Sequence, residues 1–136
     1  LKMKKISKLL NEYFAKIIAK DEKGLHLISA YCAGSKIKIN DIKFLKSNKI
    51  FLLSMERKVN EDKSKKKISS ICRFDFIEGV KSKNIAQSDP KKALELLSIN
   101  VFKNKENYNI TLLFKDNAII NLSTEIIELT LEDQKK

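Results

Sequence analysis

From Leu94 to Asp133 apolar side chains recur at every second position through three successive segments separated by short polar turns. That is the period of strands with one buried face. Leu97, Ile99 and Val101, then Tyr108, Ile110, Leu112 and Phe114, then Ile120 and Leu122 are expected to face a core. After a phase slip, Ile127, Leu129 and Leu131 follow on the same face. Between the segments, Lys115 to Ala118 is centred on Asp116 and Asn117, residue types that tolerate positive φ, and reads as a tight hairpin turn.

Upstream the period is helical. Ile6, Leu9, Leu10, Tyr13, Phe14, Ile17 and Ile18 follow the i, i+3, i+4, i+7 spacing of an amphipathic helix, although Phe14 to Ala19 also reads as a short strand after a basic arm. Asp21 is placed to cap a helix whose apolar face is Leu25, Leu27, Ile28, Tyr31 and Cys32, and Gly34 ends it. Gly24 is an unfavourable helix residue, by about 1 kcal/mol relative to alanine. From Lys36 the period returns to two. Ile37, Ile39, Ile42 and Phe44 predict one strand with a slip near Asn40 and Asp41, Lys46 to Lys49 a turn, and Ile50 to Val59 a second strand. A loop from Asn60 to Lys67 leads to a third strand in which Cys72, Phe74 and Phe76 point inward and Arg73 and Asp75 outward. Val80 to Ile85 is a fourth strand, and Ser88, Asp89 and Pro90 read as the start of a short helix.

Six or seven antiparallel strands and an N-terminal helix in a chain of 136 residues predict a mostly-β α+β fold. The expected form is a sandwich or a small twisted barrel. The organisation expected is an N-terminal extension over residues 1–13, as helix or arm, and a single mostly-β domain over 14–136. No apolar run approaches the roughly 20 residues that span a bilayer, and Leu1 to Ile18 lacks the continuous apolar stretch of a signal peptide, so a cytoplasmic protein is expected. The chain opens at Leu1; an earlier start residue, an unusual start codon and initiation at Met3 all fit.

A net charge of +11 suggests polyanions, but all 28 basic residues except Arg57 and Arg73 are lysine. With Ile and Asn also abundant, codon bias in an AT-rich genome explains the excess, and the planar arginine fork preferred for phosphates and bases is nearly missing. The densest run, Lys63, Lys65, Lys66 and Lys67, is the candidate polyanion contact, though without interleaved aromatics it reads first as a solvated loop. The paired carboxylates Asp21 and Glu22, Glu61 and Asp62, and Glu132 and Asp133 sit at element ends and read as caps and solvated positions. His26 stands alone, and Cys32 and Cys72 are expected to be reduced and buried. No catalytic, metal or cofactor set is assigned.

The segments DEKGLHLISA at Asp21 to Ala30, INDIKFL at Ile39 to Leu45, FDFIEGVKSKNIAQSDP at Phe74 to Pro90, LELLSINVF at Leu94 to Phe102 and ITLLFKDNAIINLSTEIIELTLED at Ile110 to Asp133 carry a resemblance. Together they resemble an alphaproteobacterial domain-of-unknown-function family, number 2948, over about Phe14 to Asp133. The resemblance implies a short strand before the first helix. It carries no activity, and the chain has Glu56, Arg57, Lys58 and Val59 where the family tends to an aromatic-acidic step, which argues against an essential site there. Within the Gly79 to Pro90 segment, Lys81, Lys83, Asn84, Gln87, Ser88 and Asp89 form a candidate functional loop; a purely structural connection, bent at Gly79, is the alternative. The functional expectation is a non-catalytic cytoplasmic binding or interaction module with an unknown protein partner. Its alternative is a weak binder of RNA, ribosome or anionic lipid through surface lysines.

Overall fold

The computed structural model describes residues 15–58 and 67–134. Ten strands and one helix follow in order: β1 (Lys16–Ala19), α1 (Glu22–Cys32), β2 (Lys36–Lys38), β3 (Ile42–Leu45), β4 (Ile50–Lys58), β5 (Lys67–Phe74), β6 (Ile77–Lys83), β7 (Ala93–Asn104), β8 (Asn107–Phe114), β9 (Ile119–Thr124) and β10 (Leu129–Asp133). The sheet runs β1-β10-β5-β4-β2-β7-β8-β9-β6, with β3 paired to β4. Every pairing is antiparallel, and the sheet is not closed.

The mostly-β expectation holds, but six or seven strands become ten. Lys16–Ala19 forms β1 rather than the end of a helix, while Phe14 and the helix proposed over Ile6 to Tyr13 lie outside the described residues. The slip at Asn40 and Asp41 is a 3-10 turn at Ile39–Asp41 that divides one expected strand into β2 and β3. The phase slip after Leu122 divides another into β9 and β10. Apolar spacing is blind to a turn short enough to restore the same phase on its far side.

α1 begins where the sequence places it. The Asp21 carboxylate accepts from the Gly24 amide at 2.7 Å and satisfies one of the free N–H groups of the first turn. Gly24 itself answers a steric demand, since a Cβ there would lie 2.8 Å from the Ala19 Cβ. Leu25, Ile28 and Cys32 are buried, whereas Leu27 and Tyr31, assigned to the same apolar face, are exposed. The helix packs on β7, where the Ile99 amide donates to Ser29 Oγ at 2.8 Å. Gly34, at φ +86, lets the chain leave the helix for β2.

β7 carries a second correction. Leu94 and Leu96 are inward, the register then shifts between Leu96 and Ser98, and Ile99 and Val101 continue the inner face. Leu97 is left on the outside, 48% exposed. A bulge adds one residue and so reverses the phase of everything beyond it. The same logic displaces Phe76. β5 ends at Phe74, the chain turns at Asp75 and Phe76 with Phe76 at φ +60, and Ile77 takes the inward position. The helix expected at Ser88 to Pro90 is a turn instead, in which the Lys92 amide bonds the Asp89 carbonyl at 3.1 Å.

Both ends of the sheet feed one core, in which Phe51 and Phe74 meet edge to face with centroids 5.9 Å apart. Phe74 is fully buried between strands on both sides. Phe74→Ala is expected to lower stability by about 3 to 5 kcal/mol through the cavity it leaves. Urea unfolding checks this, and a midpoint equal to the parent's would remove Phe74 from the core.

Candidate functional site

Two features stand out from the framework, one charged and buried, the other apolar and open. The first lies on the inner face near the ends of three strands. In β4 the inward series Phe51, Leu53, Met55 continues onto Arg57; in β10 Leu129 and Leu131 continue onto Asp133; in β5 Ile68 and Cys72 flank Ser70. Arg57 Nε donates to Asp133 Oδ1 at 2.8 Å and Nη2 to Oδ2 at 2.5 Å, a two-pronged contact between side chains 5% and 0% exposed. Ser70 Oγ donates to Oδ1 at 2.5 Å and the Ala15 amide to Oδ2 at 2.6 Å. The Tyr31 ring covers the guanidinium, its centroid 5.4 Å from Arg57 Cζ.

Burial alone pushes the Asp133 carboxyl up, but hydrogen bonds from Arg57, Ser70 and the Ala15 amide outweigh it and hold the group below its usual range. The bond to Asp133 likewise raises Arg57 against its burial. Both carboxylate oxygens are used, so the pair has no spare acceptor for a substrate and acts as a clasp. Reading Asp133 as a solvated strand end is therefore corrected. Its signal was in the sequence, since Arg57 and Asp133 each fall in phase with an apolar series of their own strand.

The second feature is a cleft of about 340 Å³ where the sheet fails to close. Ile42 and Phe44 of β3 form one wall and Val80 and Ser82 of β6 the other, with Phe51 and Ile120 between them. Ile85, Gln87 and Pro90 border it from the loop after β6, and Asn40 from the 3-10 turn. Both ends are pinned. At one, the Ile77 amide bonds the Lys49 carbonyl at 2.8 Å and Lys49 Nζ pairs with Glu78 at 3.0 Å. At the other, the Asn40 amide bonds the Pro90 carbonyl at 2.9 Å and the Ile39 amide the Lys92 carbonyl at 3.0 Å.

The expected loop residues divide around this cleft. Gln87 lines it, with Ser88 and Asp89 in the adjoining turn. Lys81 and Lys83 belong to β6 rather than to a loop, and both are exposed. Asn84, at φ +62, donates through Nδ2 to the Asn117 carbonyl at 2.9 Å and ties the loop to the β8–β9 turn. Of the expected polyanion run, Lys67 opens β5 directly opposite Lys58, while Lys63, Lys65 and Lys66 lie outside the described residues.

Ser70 in the clasp donates to Asp133, and Ser82 on the cleft wall has no histidine or carboxylate among the lining residues beside it. His26 is exposed on α1. Cys32 and Cys72 are buried free thiols. Contact with Cys32 and burial hold the Cys72 thiol well above the ordinary thiol range, which keeps it protonated and unreactive. Among the described residues no group of three or more His, Cys, Asp or Glu side chains could hold a metal ion, and no helix is long and apolar enough to cross a membrane.

Residues 15–136 match the family model described as a protein of unknown function, DUF2948. The chain belongs to that family. No curated protein and no solved structure matches it, so the site of this DUF2948 domain has to be argued from its own geometry.

The clasp gives the first test of that geometry. Because the folded-state pKa of Asp133 is depressed, its contribution is present above the unfolded carboxylate value of about 3.9 and is lost as pH falls through the folded value. Asp133→Asn is expected to cost about 3 to 5 kcal/mol near neutral pH by stranding the Arg57 charge. It should also flatten the acid limb of the stability profile. Chemical denaturation from pH 7 down to about 2 measures both effects, and an unchanged midpoint would show that the carboxylate is solvated.

Proposed function

We propose that this DUF2948 domain is a non-catalytic binding module and that the cleft between β3 and β6 is where it binds. The observation that carries the reading is the apolar opening itself. Phe51 and Ile120 are core residues, 1% and 2% exposed, yet they border a cavity of about 340 Å³ that reaches the surface. Apolar volume of that size with a few polar groups at its rim, here Asn40, Ser82 and Gln87, is the usual composition of a site for a small organic group. A carboxylate, imidazole or thiol is missing from its lining, which supports binding over acid, base or nucleophilic chemistry.

The sequence suggested a protein partner. The pinned ends of the cleft favour a compact occupant instead, because an extended strand adding to β3 or β6 would have to continue past the Ile77–Lys49 and Asn40–Pro90 closures. The buried free thiols accord with a reducing compartment and with work in the cytoplasm.

A second reading rests on Lys58 and Lys67, which face each other across the β4–β5 pair at the base of the lysine run. Like charges directly opposed are unfavourable, and an anion between them would relieve the repulsion. This reading supports weak, salt-sensitive polyanion contact at the far end of the β4–β5 hairpin.

Filling the cleft separates the two. Ser82 is an exposed residue on its wall, so Ser82→Phe is expected to leave the melting temperature within about 2 °C while abolishing uptake of a neutral solvatochromic dye. Retained dye binding with full occupancy would place the site elsewhere.

A further inference from the structure

Resting on the cleft as the binding site, we propose that its ligand is an uncharged aromatic carboxamide, with the ring against Phe44 and Phe51 and the amide at the opposite end beside Asn40, Ser82 and Gln87. The way polarity divides along the cleft carries the inference. β3 runs from the Asn40–Pro90 closure towards Lys49, and β6 runs back from Ile77 towards the loop that holds Gln87 and Pro90. The two walls therefore run in opposite directions, and each lining residue can be assigned to an end. Phe44 and Val80 lie towards the Lys49–Ile77 closure, with Phe51 directly opposite Phe44 in the β3–β4 register. That end is lined by apolar side chains alone. Asn40 and Gln87 lie at the other closure, and Ser82, paired with Ile120, is on the half of β6 nearer to it. All three polar lining residues thus share one end.

The three side chains are also available. Asn84, Asn100 and Asn121 are engaged in side-chain hydrogen bonds, whereas Asn40, Ser82 and Gln87 make none among the described residues. Two carboxamides and a hydroxyl supply donors and acceptors together, and a ligand carboxamide is a neutral group that uses both at once. Among the described residues no charged side chain lines the cleft. Lys43, Lys81 and Lys83 alternate with the lining residues of β3 and β6 and so point to the opposite face. Asp41 lines a separate hollow with Lys36 and Lys38. A carboxylate or ammonium entering the cleft would lose hydration without meeting a counter-charge, which selects a neutral head group. Phe44 and Phe51, side by side, offer a ring the edge and face contacts that aromatic groups prefer. A cleft of about 340 Å³ holds one such ring with a short arm.

NMR titration of the full chain with 3-phenylpropanamide, 3-phenylpropanoate and butylbenzene tests the proposal. The three share a ring and an arm and differ in the head, which is an uncharged amide, an anion or a hydrocarbon. At neutral pH the amide is expected to bind about tenfold more tightly than the anion, with an affinity indifferent to salt. In the Asn40→Leu, Gln87→Leu double variant the amide should weaken several-fold while butylbenzene binds at least as tightly as before. Both are exposed positions, and an unchanged melting curve confirms that the variant is folded. The comparison of amide with anion in the parent chain decides the matter of charge whether or not the variant folds. An anion that binds as tightly as the amide, or full amide affinity kept in the double variant, overturns the proposal. Binding of butylbenzene without binding of the amide also overturns it and leaves the cleft as an apolar site. If none of the three binds, the solvatochromic dye separates the failures. Dye uptake that Ser82→Phe abolishes keeps the cleft and overturns the aromatic amide alone, while absence of dye uptake overturns both.

Discussion

The ion pair between Arg57 and Asp133 is the contact on which the arrangement of the first half of the sheet turns. Its partners come from β4, β5 and β10, from Ala15 just before β1, and from Tyr31 on α1. A buried pair of this kind adds little net stability over well-packed apolar side chains, but it is unforgiving of error. Sliding β10 by one residue against β5 would turn Asp133 to the outer face and leave Arg57 charged in the core. The clasp thus makes the wrong registers expensive. It also holds β1 to β10, because Ala15 and Asp133 exchange backbone and side-chain hydrogen bonds at 2.9 and 2.6 Å.

With that register set, the position of the cleft follows. β5 leads into β6 through the corner at Asp75 and Phe76, where Phe76 adopts positive φ and its carbonyl lies 2.7 Å from the Thr124 hydroxyl. The corner carries the chain from a strand flanked by β4 and β10 to the opposite edge of the sheet, beside β9. β6 therefore arrives near β3, touching the β3–β4 turn at Lys49 but sharing no ladder with it. The described strands surround one core without closing, and the residual gap between β3 and β6 reaches down to the buried Phe51 and Ile120. The apolar cleft follows from this non-closure, with the loop after β6 supplying Ile85, Gln87 and Pro90 to its border.

Much of this was legible residue by residue. The period of two located the inward positions Ile110, Leu112, Ile120, Leu129 and Leu131, the Asp21 cap located α1, and Asp116 and Asn117 at φ +66 and +64 match the turn chemistry expected of them. Failures occurred where backbone geometry changes phase: at the β7 bulge, which put Leu97 outside, and at the β5–β6 corner, which did the same to Phe76. Arg57 and Asp133 escaped notice for a different reason. Charge outweighed period in reading them, although each lies in phase with buried neighbours.

The sequence by itself determined most strand faces, the helix start and the family, because these depend on local spacing and residue type. Only the tertiary structure decided that Arg57 and Asp133 meet, that α1 lies on β7, and that Phe44 of β3 and Val80 of β6 form opposite walls of one cleft. Those outcomes depend on which edges of a twisted sheet come together. Hydrophobic periodicity specifies the face that a strand buries but carries no information about its neighbour, and the neighbour here is selected by a buried charge pair and a single positive-φ corner.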